Sequence, residues 1–447
     1  MKETRYRALL IGTWLGILLL LFRPQLHGMD TVAYYAWLRA AAIRHSLDVS
    51  EEFAHFGYAS ERGISPTGHR INEWPIGPAL LWSPFFFTAH LIIHLGKALG
   101  IPGEADGYST PYFILTALGS ALYTLIGLEL LRQMARRIAS PACAIGGILT
   151  AWLASPLVFY MSAHPFMAHA PDFFVNALLL WEWARANAPT GWTRLRLGLI
   201  GGLAAMVRYQ NVTLLMWPAL EDLARLRQMP REGALRLAAL GIGAGIGFLP
   251  QMIVWRIVFG QWVVGNPYGI AGAGSFDWRA PHLLKVLFST NRGLFLWTPI
   301  AAFALLGLIG PLRRARPRWA YFILAQTIVQ IYIVGSWSAW SGAAAFGPRL
   351  LTGLFAGFAL GLAALYEAGR ARWGMRPVLM FSLVAVTWNL ILLARYGVGD
   401  VPRMGPVPLS DLWLGQLTFP VRVLERMEPL IRGLLRQGTL DGGPPRS

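Results

Sequence analysis

The feature that most constrains this chain is the recurrence of apolar runs long enough to cross a membrane, from one end to the other. A crossing helix needs about 20 mainly apolar residues, whereas a barrel strand needs only about 9–11 in strict alternation. The runs at 8–22, 112–131, 142–161, 237–256, 319–337 and 377–395 outlast a barrel strand and do not alternate. Hydrocarbon offers no partner to an open backbone, so spans of this kind must be helical. The sequence therefore predicts an all-α polytopic membrane protein, a bundle of about 10–12 transmembrane helices. Composition agrees: 14% of residues are charged, against about 25% in a soluble domain.

The net charge of +17 is nearly all arginine, because Lys2, Lys97 and Lys285 are the only lysines. The arginines cluster in short connections between apolar runs, which is a topology signal and not a nucleic-acid footprint. A single cysteine, Cys143, rules out an internal disulfide and a cysteine-based metal cage. Lys2, Arg5 and Arg7 precede the first apolar run, no small-residue cleavage site follows it, and Arg23-Pro24 interrupts it. It reads as an uncleaved first span with a cytoplasmic N-terminus. Scarce lysine beside abundant Arg, Ala and Gly points to a GC-rich bacterial genome, and so to an inner (plasma) membrane protein.

Because arginine-rich short loops face the cytoplasm, the crossings can be ordered. Residues 23–75 become a long outer loop of mixed charge that carries interfacial helices. Within it, 30–44 reads as a surface helix with Val32, Tyr35, Ala36, Leu38 and Ile43 toward one face. Residues 76–99 are apolar but lead to the acidic Gly103-Glu104-Ala105-Asp106, and the next run, 112–131, ends at Arg132, Arg136 and Arg137. If 76–99 crossed, every later arginine cluster would fall outside. This segment is therefore expected to stay on the outer side, along the interface or re-entrant, on a bent path eased by Pro78 and Pro84.

Residues 142–161 then go out, 162–169 turn, and 172–187 return to Arg194 and Arg196. Residues 197–220 have basic or mixed-charge loops at both ends and should form a hairpin. Residues 237–256 go out, 257–292 form a glycine-rich outer loop, and 293–311 come in to Arg313, Arg314, Arg316 and Arg318. The last crossings are 319–337 outward, 350–368 inward to Arg370, Arg372 and Arg376, and 377–395 outward. A transmembrane domain is expected over 1–396. Residues 397–447 form an amphipathic tail on the outer side, with a disordered Gly/Pro-rich end.

This order brings nearly every unusual polar group to the outer membrane level. Asp30, just past the first span, suits a general base or a stabiliser of positive charge, and it also suits the N-cap of helix 30–44. The two roles are compatible. Asp48 is the reserve acid. Glu73 opens Glu73-Trp74-Pro75-Ile76-Gly77-Pro78, which is either a simple proline–glycine turn or a rigid wall facing Asp30. His164 and His169 lie in one outer turn without the spacing or nearby cysteine of a metal site. They suit hydrogen bonding to a phosphate or sugar, or are plain interfacial histidines.

Arg208 is the most telling charge. Each arm of 197–220 is about 12 residues, roughly 18 Å of helix, short of the ~30 Å hydrocarbon core. The turn Arg208-Tyr209-Gln210-Asn211 should therefore lie at membrane depth inside the protein, where an arginine needs an anion. Asp172 would be a structural partner; a phosphate would suit the bidentate guanidinium. Trp337 and Trp340 can be interface anchors. Arg349 heads an inward span on the side where arginine is disfavoured, and Asn291 and Arg292 form a polar pair of the same kind. There is no Walker loop, no GxSxG motif and no paired-acid metal motif, so nucleotide-driven chemistry is not expected. No cofactor is called for, and a divalent metal stays open.

Several pieces recur in a fixed order over roughly residues 8–395: Asp30 with Tyr34 and Tyr35, Trp74-Pro75-Ile76-Gly77, Gly202-Leu203-Ala204-Ala205-Met206-Val207-Arg208, Phe259-Gly260, Asn291-Arg292-Gly293-Leu294 leading to Thr298-Pro299, and Phe346-Gly347-Pro348-Arg349. Together they resemble the GT-C class of integral membrane glycosyltransferases, among them bacterial relatives of protein mannosyltransferases and the aminoarabinose transferase of lipid A. The resemblance implies a GT-C-like bundle and a polyprenyl-phosphate-linked sugar donor. It also implies inverting transfer on the periplasmic or extracellular face and an essential acid in the first outer loop, which by position is Asp30. The donor-phosphate and substrate-binding candidates are then Arg208, Arg349, His164, His169, Tyr209, Asn291, Arg292 and Glu73. The acceptor would be a lipid, a glycan or a protein; membrane lipids are partners and nucleic acid is not. The chain departs from the pattern at Thr31, where relatives carry Asp-Glu, and at Pro75-Ile76, where many carry two prolines. Two other functions fit an anionic lipid site: a transporter or flippase of lipid-linked saccharide, and an O-antigen-ligase-like enzyme using a diphosphate-linked donor. The repeated halves common in transporters are not visible.

Overall fold

The computed structural model describes residues 2–186, 189–272, 274–312 and 318–438, with backbone only beyond 425. Among them there is no β-strand, only the isolated bridges Ile64–Arg70 and Phe276–Trp337. Among the described residues seven helices have the length and hydropathy of a membrane crossing, and two shorter apolar helices, Pro141–Leu153 and Ile300–Pro311, join them. This is an all-α, multi-pass membrane fold. Shorter helices of this kind complete further crossings in pieces.

The first helices fix the direction of the chain. Helix α1 (Lys2–Leu21) and a later helix, Thr110–Ala135, run antiparallel. Glu3 pairs with Arg132, Arg7 pairs with Glu129 at 3.2 Å, and Trp14 Nε1 donates to the Ala121 carbonyl at 2.9 Å. The chain therefore leaves α1 and enters Thr110–Ala135 on the same side. Between them lie α2 (Met29–Arg44), α3 (Ser50–His55) and α4 (Gly77–Ala98). The 22 residues of α4 make about 33 Å of helix, enough to cross. Yet the Trp74 carbonyl before α4 accepts from Trp37 of α2 at 2.9 Å. The carbonyls of Asp106 and Gly107 after it accept from Arg39 and Tyr35 of the same helix, at 2.8 and 2.6 Å. The connection returns to the side it left, as the arginine clusters require.

The helix α4 runs past both of its prolines: Pro78 sits in the first turn, where a missing N–H is harmless, and the helix continues through Pro84. One expectation for this region is corrected: α2 is not a surface helix, because Thr31 through Ala40 are all buried. Tyr35 is packed among the rings of Phe86, Phe113 and Phe166 at centroid distances of 5.5–6.1 Å. Apolar residues all round a helix mean enclosure rather than an interface-facing stripe.

After α5 (Thr110–Ala135) the chain goes back through α6 (Pro141–Leu153) and α7 (Leu157–Ser162). The break between them, at Ser155-Pro156, opens backbone carbonyls in the bundle. Asn389 Nδ2 satisfies two of them, those of Leu153 and Ser155, at 2.8 and 3.0 Å. Next come α8 (His169–Arg185) and α9 (Gly191–Val207), then a 3₁₀ turn (Tyr209–Leu215) and α10 (Met216–Leu226). Arg194 Nε meets Asp222 at 2.6 Å, and Asn211 Nδ2 donates to the Ala204 carbonyl at 3.0 Å. Residues 191–226 are thus a hairpin with Arg208 at its apex, and its first arm, at 17 residues, is longer than expected.

The arginine clusters share one side. Arg137 Nη1 donates to the Ala184 carbonyl at 3.4 Å, Arg196 pairs with Glu182, and Ser140 N donates to Glu367 at 2.9 Å. These contacts bring together the ends of α5 and α8 and the starts of α6 and α9. Arg313, Arg314 and Arg316 lie outside the described residues. The remaining elements are α11 (Pro230–Phe259), four short helices α12–α15 between Pro267 and Gly307, α16 (Arg318–Ser336), a 3₁₀ turn (Arg349–Leu354), α17 (Phe355–Trp373), α18 (Met375–Gly397) and the tail helix α19 (Leu409–Gly438).

The tail starts on the opposite side from the arginine clusters. Buried Arg395 bonds Asp400 at 2.6 Å and the Asp411 carbonyl at 2.8 Å. Val401, Val407 and Leu412 pack with Tyr160, Phe346 and Tyr396 in a small core of their own. The Gly/Pro-rich end after 438 lies outside the described residues.

Candidate active site

The turn from α1 into α2 is made by Gly28, whose φ of 85° favours glycine. Gly28 occupies the N-cap position without a side-chain bond, so Asp30 is not the cap. It stands in the first turn of α2, where the helix dipole favours a carboxylate. From there Asp30 Oδ2 meets Arg349 Nη1 at 2.7 Å.

Arg349 is set by its own local turn. Gly347 has φ of 63°, and a Cβ there would lie 2.5 Å from Pro156, so only glycine fits this bend. The backbone N–H of Phe346 donates to the Tyr160 hydroxyl at 3.0 Å, and Arg292 Nε donates to the Ala345 carbonyl at 3.0 Å. The loop carrying Arg349 is thus pinned at two consecutive residues.

Arg208 reaches the same place from the hairpin apex. Its backbone is extended (φ −149°, ψ 124°) between α9 and the 3₁₀ turn. Nη1 donates to His169 Nδ1 at 2.9 Å and to the Arg349 carbonyl at 3.4 Å, and lies 4.0 Å from Asp172 Oδ2. Asp172 is only a loose partner, because Asn176 and Asn211 both donate to its Oδ1 at 2.8 Å.

Asp30, Arg208, Arg349, His169 and Tyr209 all line one cavity of about 1160 Å³. At its charged end two guanidiniums face one carboxylate. Away from that end the walls become apolar, with Gly201, Gly202 and Ala205 of α9 opposite Ala244, Gly245 and Phe248 of α11. One end of the cavity thus suits a multivalent oxyanion and the other an apolar chain. Such a mixture of an apolar cleft and a few convergent charges is the usual form of a small-molecule site.

Other sequence candidates lie off the cavity. Glu73 is buried behind the wall, held by Arg62 Nη2 at 2.8 Å. Burial raises its pKa even against that guanidinium. Its carbonyl accepts from the Tyr209 hydroxyl at 3.3 Å, so it supports the wall that the sequence placed there. Asp48 accepts from the Ser50 hydroxyl and from the Arg70 and Ser50 backbone N–H groups at 2.8–3.3 Å. Burial opposes ionisation there, yet these bonds keep its pKa low; it closes a local turn. His164 sits in the turn before α8; burial, with the Arg349 charge, pulls its pKa down to about 4. Arg292 is 2% exposed and bonds Asn291 and the carbonyls of Ala345, Pro402 and Gly405. The polar pair Asn291–Arg292 is therefore a clamp between loops.

Residues that the sequence reading missed as site members are Arg62 and Tyr268, both lining the cavity, and Thr352 behind it. Arg62 lies in the long loop before α4, and its pairing with Glu73, across 11 residues of sequence, holds it at the wall of the cavity. Among the described residues no group of three or more His, Cys, Asp or Glu could hold a metal ion.

No family model and no curated protein sequence matches this chain. Solved structures do. The apo crystal structure of ArnT from Cupriavidus metallidurans aligns with a TM-score of 0.53 at 16% identity, over 99% of this chain and 74% of that one. The same protein bound to undecaprenyl phosphate aligns with a TM-score of 0.51, also at 16% identity, over 98% and 73%. Over nearly its whole length, this chain is similar in fold to ArnT from Cupriavidus metallidurans.

Proposed function

We propose that this chain is an inverting glycosyltransferase that moves a sugar from a polyprenyl-phosphate-linked donor to an acceptor on the outer face of the membrane. The observation that carries the reading is the convergence of Asp30, Arg208 and Arg349 at one end of a cavity whose other end is apolar. The likeness in fold to ArnT, which has been solved with undecaprenyl phosphate, supports it.

The donor phosphate binds between Arg208 and Arg349, and its prenyl chain runs along the small-residue walls of α9 and α11. An incoming phosphate competes with Asp30 for Arg349, so the carboxylate is released as the donor arrives. The acceptor oxygen then attacks the anomeric carbon opposite the phosphate. As the new C–O bond forms, the sugar–phosphate bond breaks and the configuration inverts. Asp30 takes the proton of the acceptor hydroxyl. The two guanidiniums stabilise the charge that grows on the departing polyprenyl phosphate. No enzyme nucleophile and no nucleotide takes part.

The test is the full chain reconstituted in lipid vesicles with a radiolabelled polyprenyl-phosphate sugar and an envelope extract as acceptor source. The native chain should release label from the lipid, and Asp30→Asn should lose that release by about a thousandfold or more with insertion intact. Label that moves across the bilayer still attached to its lipid would identify a flippase instead. Undiminished transfer in Asp30→Asn would remove Asp30 from the chemistry.

A further inference from the structure

Arg208 needs something to aim it, because a guanidinium on three methylenes is free to swing. Its side-chain hydrogen bonds among the described residues are all made through Nη1. One goes to His169, the first residue of α8, which is 3% exposed and packs against the Tyr160 ring at a centroid distance of 4.3 Å. An arginine has donors only. The nitrogen that faces Nη1 at 2.9 Å, Nδ1 of His169, must therefore present a lone pair. The hydroxyl of Thr352, 3.1 Å from the same Nδ1, and the Arg349 carbonyl complete the cradle. A neutral imidazole with a lone pair on Nδ1 carries its proton on Nε2. That Nε2 is buried and has no hydrogen-bond partner among the described residues.

Both ring nitrogens are thus closed to substrate: Nδ1 is occupied by Arg208 and Nε2 is sealed against the protein. We infer that His169 is a positioning residue for Arg208, a neutral imidazole locked in the Nε2–H form, and not a ligand of the substrate. Asp172, three residues along the same face of α8, ties the other side of the apex through Asn211. The first turn of α8 thereby holds Nη1 in place and leaves Nε and Nη2 of Arg208 for two oxygens of an anion. The inference rests on the donor-phosphate reading of Arg208.

The test uses the full-length protein in lipid nanodiscs. Two variants separate shape from hydrogen bonding: in His169→Asn the amide oxygen can replace Nδ1 as acceptor, and His169→Leu removes the acceptor at similar volume. Titration with undecaprenyl phosphate should show affinity reduced about ten- to a hundredfold in the Leu variant and within about threefold of the native protein in the Asn variant. Independently, ¹⁵N-histidine NMR at pH 7, with His169 assigned by its loss in the Asn variant, should show a neutral Nε2–H ring. An imidazolium, an Nδ1–H ring, or a Leu variant that binds as tightly as a binding-competent native protein would overturn the inference. If the native protein binds no polyprenyl phosphate, the donor reading fails, while the NMR result still decides the tautomer and the Arg208 contact. Should the Leu variant not fold, the Asn variant and the spectrum remain decisive.

Discussion

Asp30 and Arg349 are placed to hold each other only until something better arrives. Their contact is 2.7 Å, with the carboxylate 30% and the guanidinium 14% exposed, so an anion entering the cavity meets a carboxylate that repels it and an arginine already engaged. Removing the negative charge should then have opposite effects on binding and turnover. Asp30→Asn is expected to bind undecaprenyl phosphate about three- to tenfold more tightly while transferring no sugar. Titration of native and variant protein in nanodiscs decides this; weaker binding by the variant would mean that Asp30 helps to hold the lipid phosphate.

At this scale the sequence showed its charges but not their partners. Asp30, Arg208 and Arg349 were legible because an isolated charge in an apolar stretch must meet something. The same logic named Arg292, which lies off the cavity and spends its donors on the Asn291 side chain and on backbone carbonyls that a sequence cannot display. Asp48 failed as a reserve because its partners, Ser50 and Arg70, close a local turn.

Among the elements, α4 and the 191–226 hairpin set how deep the arginine apex sits. A Cβ on Gly77 would lie 2.4 Å from the carbonyl carbon and oxygen of Met206 and 2.5 Å from Val207 N. That is backbone against backbone, two residues before Arg208, and it cannot be relieved by turning a side chain. Gly77→Ala should cost about 1–3 kcal/mol and move the apex, so both thermal stability in detergent and transfer activity fall. Gly96→Ala, nineteen positions further along the same helix, meets nothing closer than 3.7 Å and should leave both unchanged. Equal behaviour of the two variants would refute the contact. Charge parity was enough to foresee that the chain before α5 returns to the side it left, and that Arg208 tops a hairpin. Parity says nothing about packing: the enclosure of α2 among Phe86, Phe113 and Phe166, and the approach of Gly77 to Met206, are made by elements that are not neighbours in sequence.

For the molecule as a whole, the tail is tied through Arg292 to the loop that carries Arg349. Arg292 is held in a left-handed backbone conformation (φ 66°), unusual for a long side chain and sustained by its bonds to Asn291, Ala345, Pro402 and Gly405. Two of these acceptors belong to the tail loop, and one belongs to the loop that carries Arg349. Removing the tail therefore strips a buried cation of half its acceptors, leaving a charge desolvated and under-paired. It also uncovers Tyr160, Phe346 and Tyr396, which pack against Val401, Val407 and Leu412. Truncation after Val398 should lower thermal stability and reduce transfer by about tenfold or more, because the clamp on the Arg349 loop is lost. Truncation after Glu425 keeps every one of these contacts and should behave as the full chain does. Measured side by side in membranes, equal activity of the two truncations would show that the Arg349 loop stands without the tail. A loss confined to the shorter chain would make the last crossing and its tail part of the catalytic architecture.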